Sequence, residues 1–159
     1  MEIERKYLVK TLPDHLDQYE SKKIAQGYLC TEPVVRIRRS NDDYYLTYKG
    51  DGLMVREEYN LPLTKEGYEH MLPKADGNII RKKRYMIPLA FPSYQEGYDP
   101  DPEKDQDLTI ELDIFSSPTD LIMAEVEFAS EAAANAFLPP SWFEKDVTTD
   151  PRYHNSNMI

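Results

Sequence analysis

The sequence predicts an α+β protein dominated by antiparallel sheet, and three observations carry the prediction. Most of the chain alternates at period two, the spacing that sends successive side chains to opposite faces of a strand. Turn-forming runs, Asn41-Asp42-Asp43 and Gly50-Asp51-Gly52, separate consecutive alternating segments as hairpin loops would. Helical patterns are few and short, which suits connectors on a sheet better than a bundle.

In chain order, strands are expected over 2–9, 34–40, 44–49, 54–63, 79–87, 108–115 and 122–129. Helices are expected around 14–24, around 65–72 behind Thr64, and around 131–138 behind Ser130. Thr64 and Ser130 are placed as N-caps because a hydroxyl there accepts from an otherwise unpaired N–H of the first turn. Residues 97–107, with Pro100, Pro102 and several acids, read as an exposed, mobile loop. The stretch 139–153, with two adjacent prolines followed by Trp142 and Phe143, reads as irregular packing that leads into a short C-terminal tail.

One domain spanning 1–159 is expected, since 159 residues leave too little chain for a second core. A composition of 40% hydrophobic and 30% charged residues is that of a soluble globular protein and excludes a disordered chain. Met1 to Lys10 lacks the apolar core of a signal peptide, and no run approaches the ~18 apolar residues of a membrane span, so a cytoplasmic protein with no membrane partner is expected. Cys30 is the only cysteine, which removes internal disulfides and thiolate metal clusters and leaves it as a packing residue. The net charge of −10 argues against nucleic-acid binding driven by counterion release. A small polyanion is still admissible, because binding depends on where cations converge and not on their sum.

The polar face of these strands is selectively charged, unlike that of an ordinary half-buried sheet. Glu2, Glu4 and Lys6 share one face of the first strand, opposite Ile3, Arg5, Tyr7 and Val9. Arg36 and Arg38 alternate with Val35 and Ile37, and Lys82 and Arg84 share a face. Glu111 and Asp113 alternate with Ile110, Leu112 and Ile114, and Glu125 and Glu127 with Val126 and Phe128. Lys49, Arg56 and Glu58 join the same set. Either this face is solvated above a conventional core, or the sheet closes into a barrel with charges inside and helices over an apolar exterior. Any one doublet fits the first arrangement. The ensemble favours the second, because a face needing only solubility would not pair acids on some strands and bases on others.

Paired carboxylates supply the hard oxygen ligands that Mg²⁺ or Mn²⁺ requires. Arg and Lys supply forked and point-charge donors to phosphate oxygens. Together they match a metal-bound polyphosphate. Burying charges costs several kcal/mol per ion unless they are paired, so such an interior must be wet or occupied.

The run Glu2-Ile3-Glu4-Arg5-Lys6 resembles the Glu-x-Glu-x-Lys signature of the triphosphate tunnel metalloenzymes, the CYTH superfamily. Arg36-Ile37-Arg38, Lys49, Arg56-Glu57-Glu58, Lys82-Lys83-Arg84, Glu111-Leu112-Asp113 and Glu125-Val126-Glu127 follow in the order of that family, so the resemblance covers residues 2 to about 138. It implies an eight-stranded antiparallel β-barrel, a tunnel with charged interior and helices packed outside. The seven strands above fall one short, and the missing one is expected near 22–29, around Gln26-Gly27-Tyr28-Leu29, unless 54–63 is two pieces. By resemblance, Glu2, Glu4, Asp113, Glu125 and Glu127 would hold one or two divalent ions, Mg²⁺ or Mn²⁺. Lys6, Arg36, Arg38, Lys49, Arg56, Lys82 and Arg84 would hold the substrate, with Glu58 and Glu111 as further tunnel acids. Two features depart from the family pattern: Asn60 stands where another acid is frequent, and the C-terminal segment around Tyr153-His154-Asn155 is short. His154 is expected on the surface, as are His15 and His70.

The implied reaction is metal-dependent hydrolysis of a terminal phosphoanhydride in a small-molecule triphosphate, with inorganic triphosphate preferred and Glu4, Glu127 and Lys6 as catalytic groups. Two alternatives stand beside it. One is another triphosphate enzyme, either a class IV-type adenylate cyclase or a nucleoside or thiamine triphosphatase. The other is a polyphosphate-binding module without turnover. The protein is expected to be a monomer or homodimer.

Overall fold

The computed structural model describes all 159 residues. Twelve strands are formed: β1 (Glu2–Val9), β2 (Glu20–Thr31), β3 (Val34–Ser40), β4 (Asp43–Lys49), β5 (Val55–Arg56), β6 (Glu58–Pro62), β7 (Asp76–Ala90), β8 (Ser93–Tyr94), β9 (Asp107–Ser117), β10 (Ile122–Glu127), β11 (Phe137–Leu138) and β12 (Phe143–Asp146). Two α-helices, α1 (Lys65–Met71) and α2 (Glu131–Ala136), are capped as expected: the Thr64 and Ser130 hydroxyls accept from Gly67 N and Ala133 N. No helix is long and apolar enough to cross a membrane.

The main sheet runs β12-β1-β10-β9-β7-β2-β3-β4-β6, and β5 turns back to pair with β1 through Glu2↔Arg56 and Ile3↔Val55. Since β5 and β6 are one strand broken at Glu57, this pairing nearly closes a ring of eight: β1, β10, β9, β7, β2, β3, β4 and β5–β6. Both explanations for the missing strand therefore hold, because β2 forms over Gln26-Gly27-Tyr28-Leu29 and the 54–63 segment is in two pieces. Gly52 makes the last turn of the ring. Its φ is +128°, and a Cβ there would sit 2.1 Å from the Val55 carbonyl oxygen.

The helix expected over 14–24 is confined to a 3₁₀ turn, Leu16–Gln18, and the chain becomes β2 from Glu20. Pairing with both β3 and β7 overrides the local pattern, since Ile24 sits opposite Ser40 on one side and Lys82 on the other. The 97–107 loop is folded around a buried Asp105 and is not a free excursion. The Asp105 Oδ2 accepts from Tyr98 OH at 2.5 Å and Asp101 N at 2.8 Å, while Tyr94 OH donates to its carbonyl oxygen at 2.7 Å. The 139–153 stretch is irregular only in part, because β12 pairs with the outer edge of β1.

Apolar side chains pack on both sides of the barrel wall. Outside, Tyr7, Ile110, Leu112, Ala124 and Val126 lie beneath α2, Phe137 and Phe143. Arg5 also points outward and ties this layer down, donating to the Ala134 carbonyl at 2.7 Å and to Asp146 at 2.6 Å. A second cluster, Tyr28, Val34, Ile80, Phe115, Met123 and Val147, takes the same parity as the charged interior residues and fills one end of the barrel. Leu8, Tyr153, Met158 and Ile159 pack against it. The C-terminus rests on the backbone at Gly77, where a Cβ would lie 2.9 Å from that of Ile159. The interior is thus a cup whose floor is apolar and C-terminal.

Candidate active site

Above that floor is a cavity of about 570 Å³ whose wall is sorted by strand. β1, β10 and β9 are consecutive in the ring and present Glu2, Glu4, Glu125, Glu127 and Glu111. Facing them, β7, β3 and β4 present Lys82, Arg84, Arg36, Arg38 and Lys49. Lys6, Arg56 and Glu58 complete the lining. The period-two doublets converge because each lies on a strand of the same barrel, with registers such as Glu4↔Glu127, Lys6↔Glu125 and Glu125↔Glu111.

Asp113 is placed differently from the other acids singled out in the sequence. It is 0% exposed and is not on the cavity wall. Its carboxylate accepts from Arg84 Nε at 2.7 Å and Arg84 Nη2 at 2.9 Å, and Lys82 Nζ lies 2.8 Å from Oδ2. An expected metal ligand is here the buried counter-ion that aims two cations. Arg84 also pairs with Glu111, and burial, which alone would lower its pKa, is outweighed by these carboxylates, so it is held well above its usual value.

The remaining cations are also held. Arg36 Nη2 donates to Thr47 Oγ1 at 2.9 Å, Arg38 Nε to Gln26 Oε1 at 2.8 Å, and Lys49 Nζ to Glu2 Oε1 at 2.9 Å. Burial draws Lys82 down to about 7 against the pull of Asp113. A polyanion seated beside it would raise it again. Two buried nitrogens on the lining residues have no protein partner, Arg36 Nε and His154 Nε2.

The acids are less completely matched. Burial, reinforced by Glu125, pushes Glu4 up to about 7, and its nearest cation, Lys6, is 4.0 Å away. Burial also raises Glu127, with Glu111 and Glu58 adding repulsion. Glu2 and Glu58 titrate as a pair: burial and the Glu58 carboxyl push Glu2 up to about 8 even though Lys49 touches it. Only Glu125 is firmly ionised, because Lys6 at 3.6 Å and Arg84 at 3.8 Å overcome its burial. Hard oxygen donors that repel one another fit a divalent cation in their chemistry. No three of them stand together as a preformed cage.

His154 corrects an expectation. It is 7% exposed and lines the cavity floor, because the 3₁₀ turns Pro151–Tyr153 and Asn155–Asn157 fold the tail into the end of the barrel. Val147 N donates to the Lys6 carbonyl and Lys6 N to Thr148 Oγ1, which pins the tail to β1. Burial, with Lys6 and Arg56 nearby, lowers His154 to about 4. Sequence reading also passed over Gln26, Tyr45 and Asn155. Gln26 carried a usable signal as the polar member of an alternating segment. Asn155 carried none.

Comparison with known proteins follows the same lines. The model of the CYTH domain matches residues 1–119. An inorganic triphosphatase of Nitrosomonas europaea is 37% identical over 161 residues, spanning 99% of this chain and 95% of its own. One from Acetivibrio thermocellus is 32% identical over 170 residues, with 99% and 92% covered. A crystal structure of an inorganic triphosphatase superposes with a TM-score of 0.63 at 34% identity, covering 99% of this chain and 93% of the other.

Proposed function

The chain belongs to the CYTH family, and from that membership and the charges of its cavity we propose that it hydrolyses inorganic triphosphate to pyrophosphate and phosphate. The observation that carries this reading is the lining itself: of 21 residues only Met1, Tyr28, Val34 and Tyr45 are hydrophobic, so there is anchorage for phosphates and no platform for a base. Tyr28 is buried in the floor, and the Arg38 guanidinium lies 6.0 Å from the centre of the Tyr45 ring. An adenylate cyclase or nucleotide hydrolase would need such a platform.

The terminal phosphorus is attacked in line by water, the bridging P–O bond breaks, and pyrophosphate leaves. Such a transfer asks for alignment and charge stabilisation more than for covalent chemistry. Arg36, Arg38, Lys49, Arg56, Lys82 and Arg84 clamp the phosphate oxygens and stabilise charge developing on the leaving oxygen. Lys6, between Glu4 and Glu125, orients the phosphate nearest the acids. Glu4 and Glu127 position the water. A carboxyl poised near 7, as Glu4 is, can accept its proton at neutral pH. Glu2, Glu4, Glu125 and Glu127 would hold Mg²⁺ or Mn²⁺, one or two ions, which supply Lewis acidity and charge neutralisation when bound. Asp113 serves as an anchor for Lys82 and Arg84 and is left out of that ligand set.

The test is phosphate release from inorganic triphosphate and from ATP, with Mg²⁺, Mn²⁺ or chelator. Release from triphosphate is expected to exceed that from ATP, to stop with chelator, and to fall by about 100-fold or more in Glu4→Gln and Arg38→Ala variants that remain folded. Tight metal-dependent binding of triphosphate without release would replace the hydrolase with a binding module.

A further inference from the structure

The C-terminal tail does more than close the barrel. Asn155, 8% exposed in the cavity floor, accepts two hydrogen bonds at Oδ1, from Lys82 Nζ at 2.9 Å and from Gln26 Nε2 at 3.1 Å. Gln26, 0% exposed on β2, in turn accepts Arg38 Nε at 2.8 Å through Oε1 and donates to Tyr28 OH at 3.1 Å. One buried chain of amides thus links two cavity cations that lie on different strands.

The polarity of this chain is forced from its ends. Lysine and arginine only donate, so Asn155 must turn its oxygen to Lys82 and Gln26 its oxygen to Arg38. Those choices leave the Gln26 amide nitrogen facing Asn155 Oδ1, which is the one arrangement that satisfies all three contacts. The donor count of Lys82 is also set: one N–H goes to Asn155, one to Asp113, and one is left for a ligand in the cavity. Without Asn155 the ammonium would be free to swing toward Asp113, and Arg38 would lose the support behind its acceptor.

We propose that Asn155 is a positioning residue of the catalytic site, fixing Lys82 directly and Arg38 through Gln26 so that both meet the phosphates in one orientation. The proposal rests on the hydrolase reading above and adds the C-terminal tail to its working parts. Misplacing a clamp by a fraction of an ångström costs turnover more than ground-state binding when the contact tightens in the transition state.

The experiment compares kcat and KM for inorganic triphosphate with saturating Mg²⁺ in wild type, Asn155→Ala, Asn155→Asp, Lys82→Ala and the Asn155→Ala/Lys82→Ala double variant, with melting temperatures for each. Asn155→Ala is expected to lower kcat by about 10- to 100-fold with a smaller change in KM. Asn155→Asp, which keeps both acceptors, recovers most of that loss. In the Lys82→Ala background the same Asn155→Ala change costs several-fold less than it does alone, because its main target is gone. Equal losses in the two backgrounds, or an Asn155→Asp variant as impaired as Asn155→Ala at an unchanged melting temperature, would overturn the proposal and leave Asn155 a packing residue. Gln26→Glu is a second probe: it keeps the acceptor for Arg38 but removes the donor to Asn155, and normal kcat in that variant also counts against the chain. If wild type shows no turnover the hydrolase reading fails by itself. The same variants are then compared by calorimetric triphosphate affinity, where the same pattern supports positioning and its absence refutes it.

Discussion

On the wall built by β7, β2, β3 and β4, each cation already has a protein partner: Arg36 has Thr47, Arg38 has Gln26, Lys49 has Glu2, Lys82 has Asn155 and Asp113, and Arg84 has Asp113. On the facing wall of β1, β10 and β9, Glu4 and Glu127 have no hydrogen-bonding partner and their carboxyls are pushed up. One wall is assembled by folding and the other is left incomplete. A polyanion clamp gains from rigid donors, since less is lost in ordering them on binding. A cation site gains from ligands whose mutual repulsion the ion relieves. The difference explains how one small barrel can hold many buried charges: half are neutralised internally, and the rest are stabilised by what the protein binds.

The largest effect is expected from breaking the assembled wall at Asp113. Asp113→Ala leaves Lys82 and Arg84 buried without their shared counter-ion, a loss of roughly 3–5 kcal/mol by analogy with other broken buried pairs. Urea denaturation would measure it. Turnover falls as well, but the Mg²⁺ concentration for half-maximal activity in any residual activity, or in the milder Asp113→Asn variant, stays near that of wild type. A large rise in that concentration would return Asp113 to the metal-ligand set and blur the division between the walls.

A smaller effect of opposite sign is expected on the incomplete wall. Glu4→Gln removes a carboxylate that repels Glu125 and Glu2, so the chelator-treated variant should melt several degrees above chelator-treated wild type. Added Mg²⁺ should then stabilise wild type more than the variant. A variant less stable than wild type without metal would mean that Glu4 is structurally paired and that both walls are finished by folding.

These contrasts were legible in the sequence to unequal depth. Residue type and parity announced the charged interior, because a strand places 2, 4 and 6, or 36 and 38, on one side whatever the tertiary detail. The strand around Gln26 was harder to see: Ala25 and Gly27 alternate with Ile24 and Gln26, so the faces differ little in polarity, and pairing on both edges decided the matter. The separation of Asp113 from the other acids was not readable at all. Glu111 and Asp113 share a strand and a parity, and only the register Arg84↔Asp113 commits the second to a cation. His154 and Asn155 were least accessible, since their positions follow from two 3₁₀ turns and from the docking of Ile159 on Gly77, neither of which leaves a periodic trace.

His154 supplies the most modest test, and it probes the cationic side through pH. Its ring is buried neutral beside Lys6 and Arg56, with a pKa lowered to about 4 from an ordinary 6.5. Over that interval the unfolded chain binds more protons at this site than the folded one, so stability rises with pH. The contribution is complete above pH 6.5 and is lost as pH falls toward 4. Urea midpoints measured between those values should therefore fall less steeply with acidification in His154→Asn than in wild type, while the two run parallel from pH 7 to 8. Equal slopes throughout would mean that the ring finds a counter-charge when protonated. The nearest candidates are the acids across the cavity, and the two walls would then be coupled through the floor.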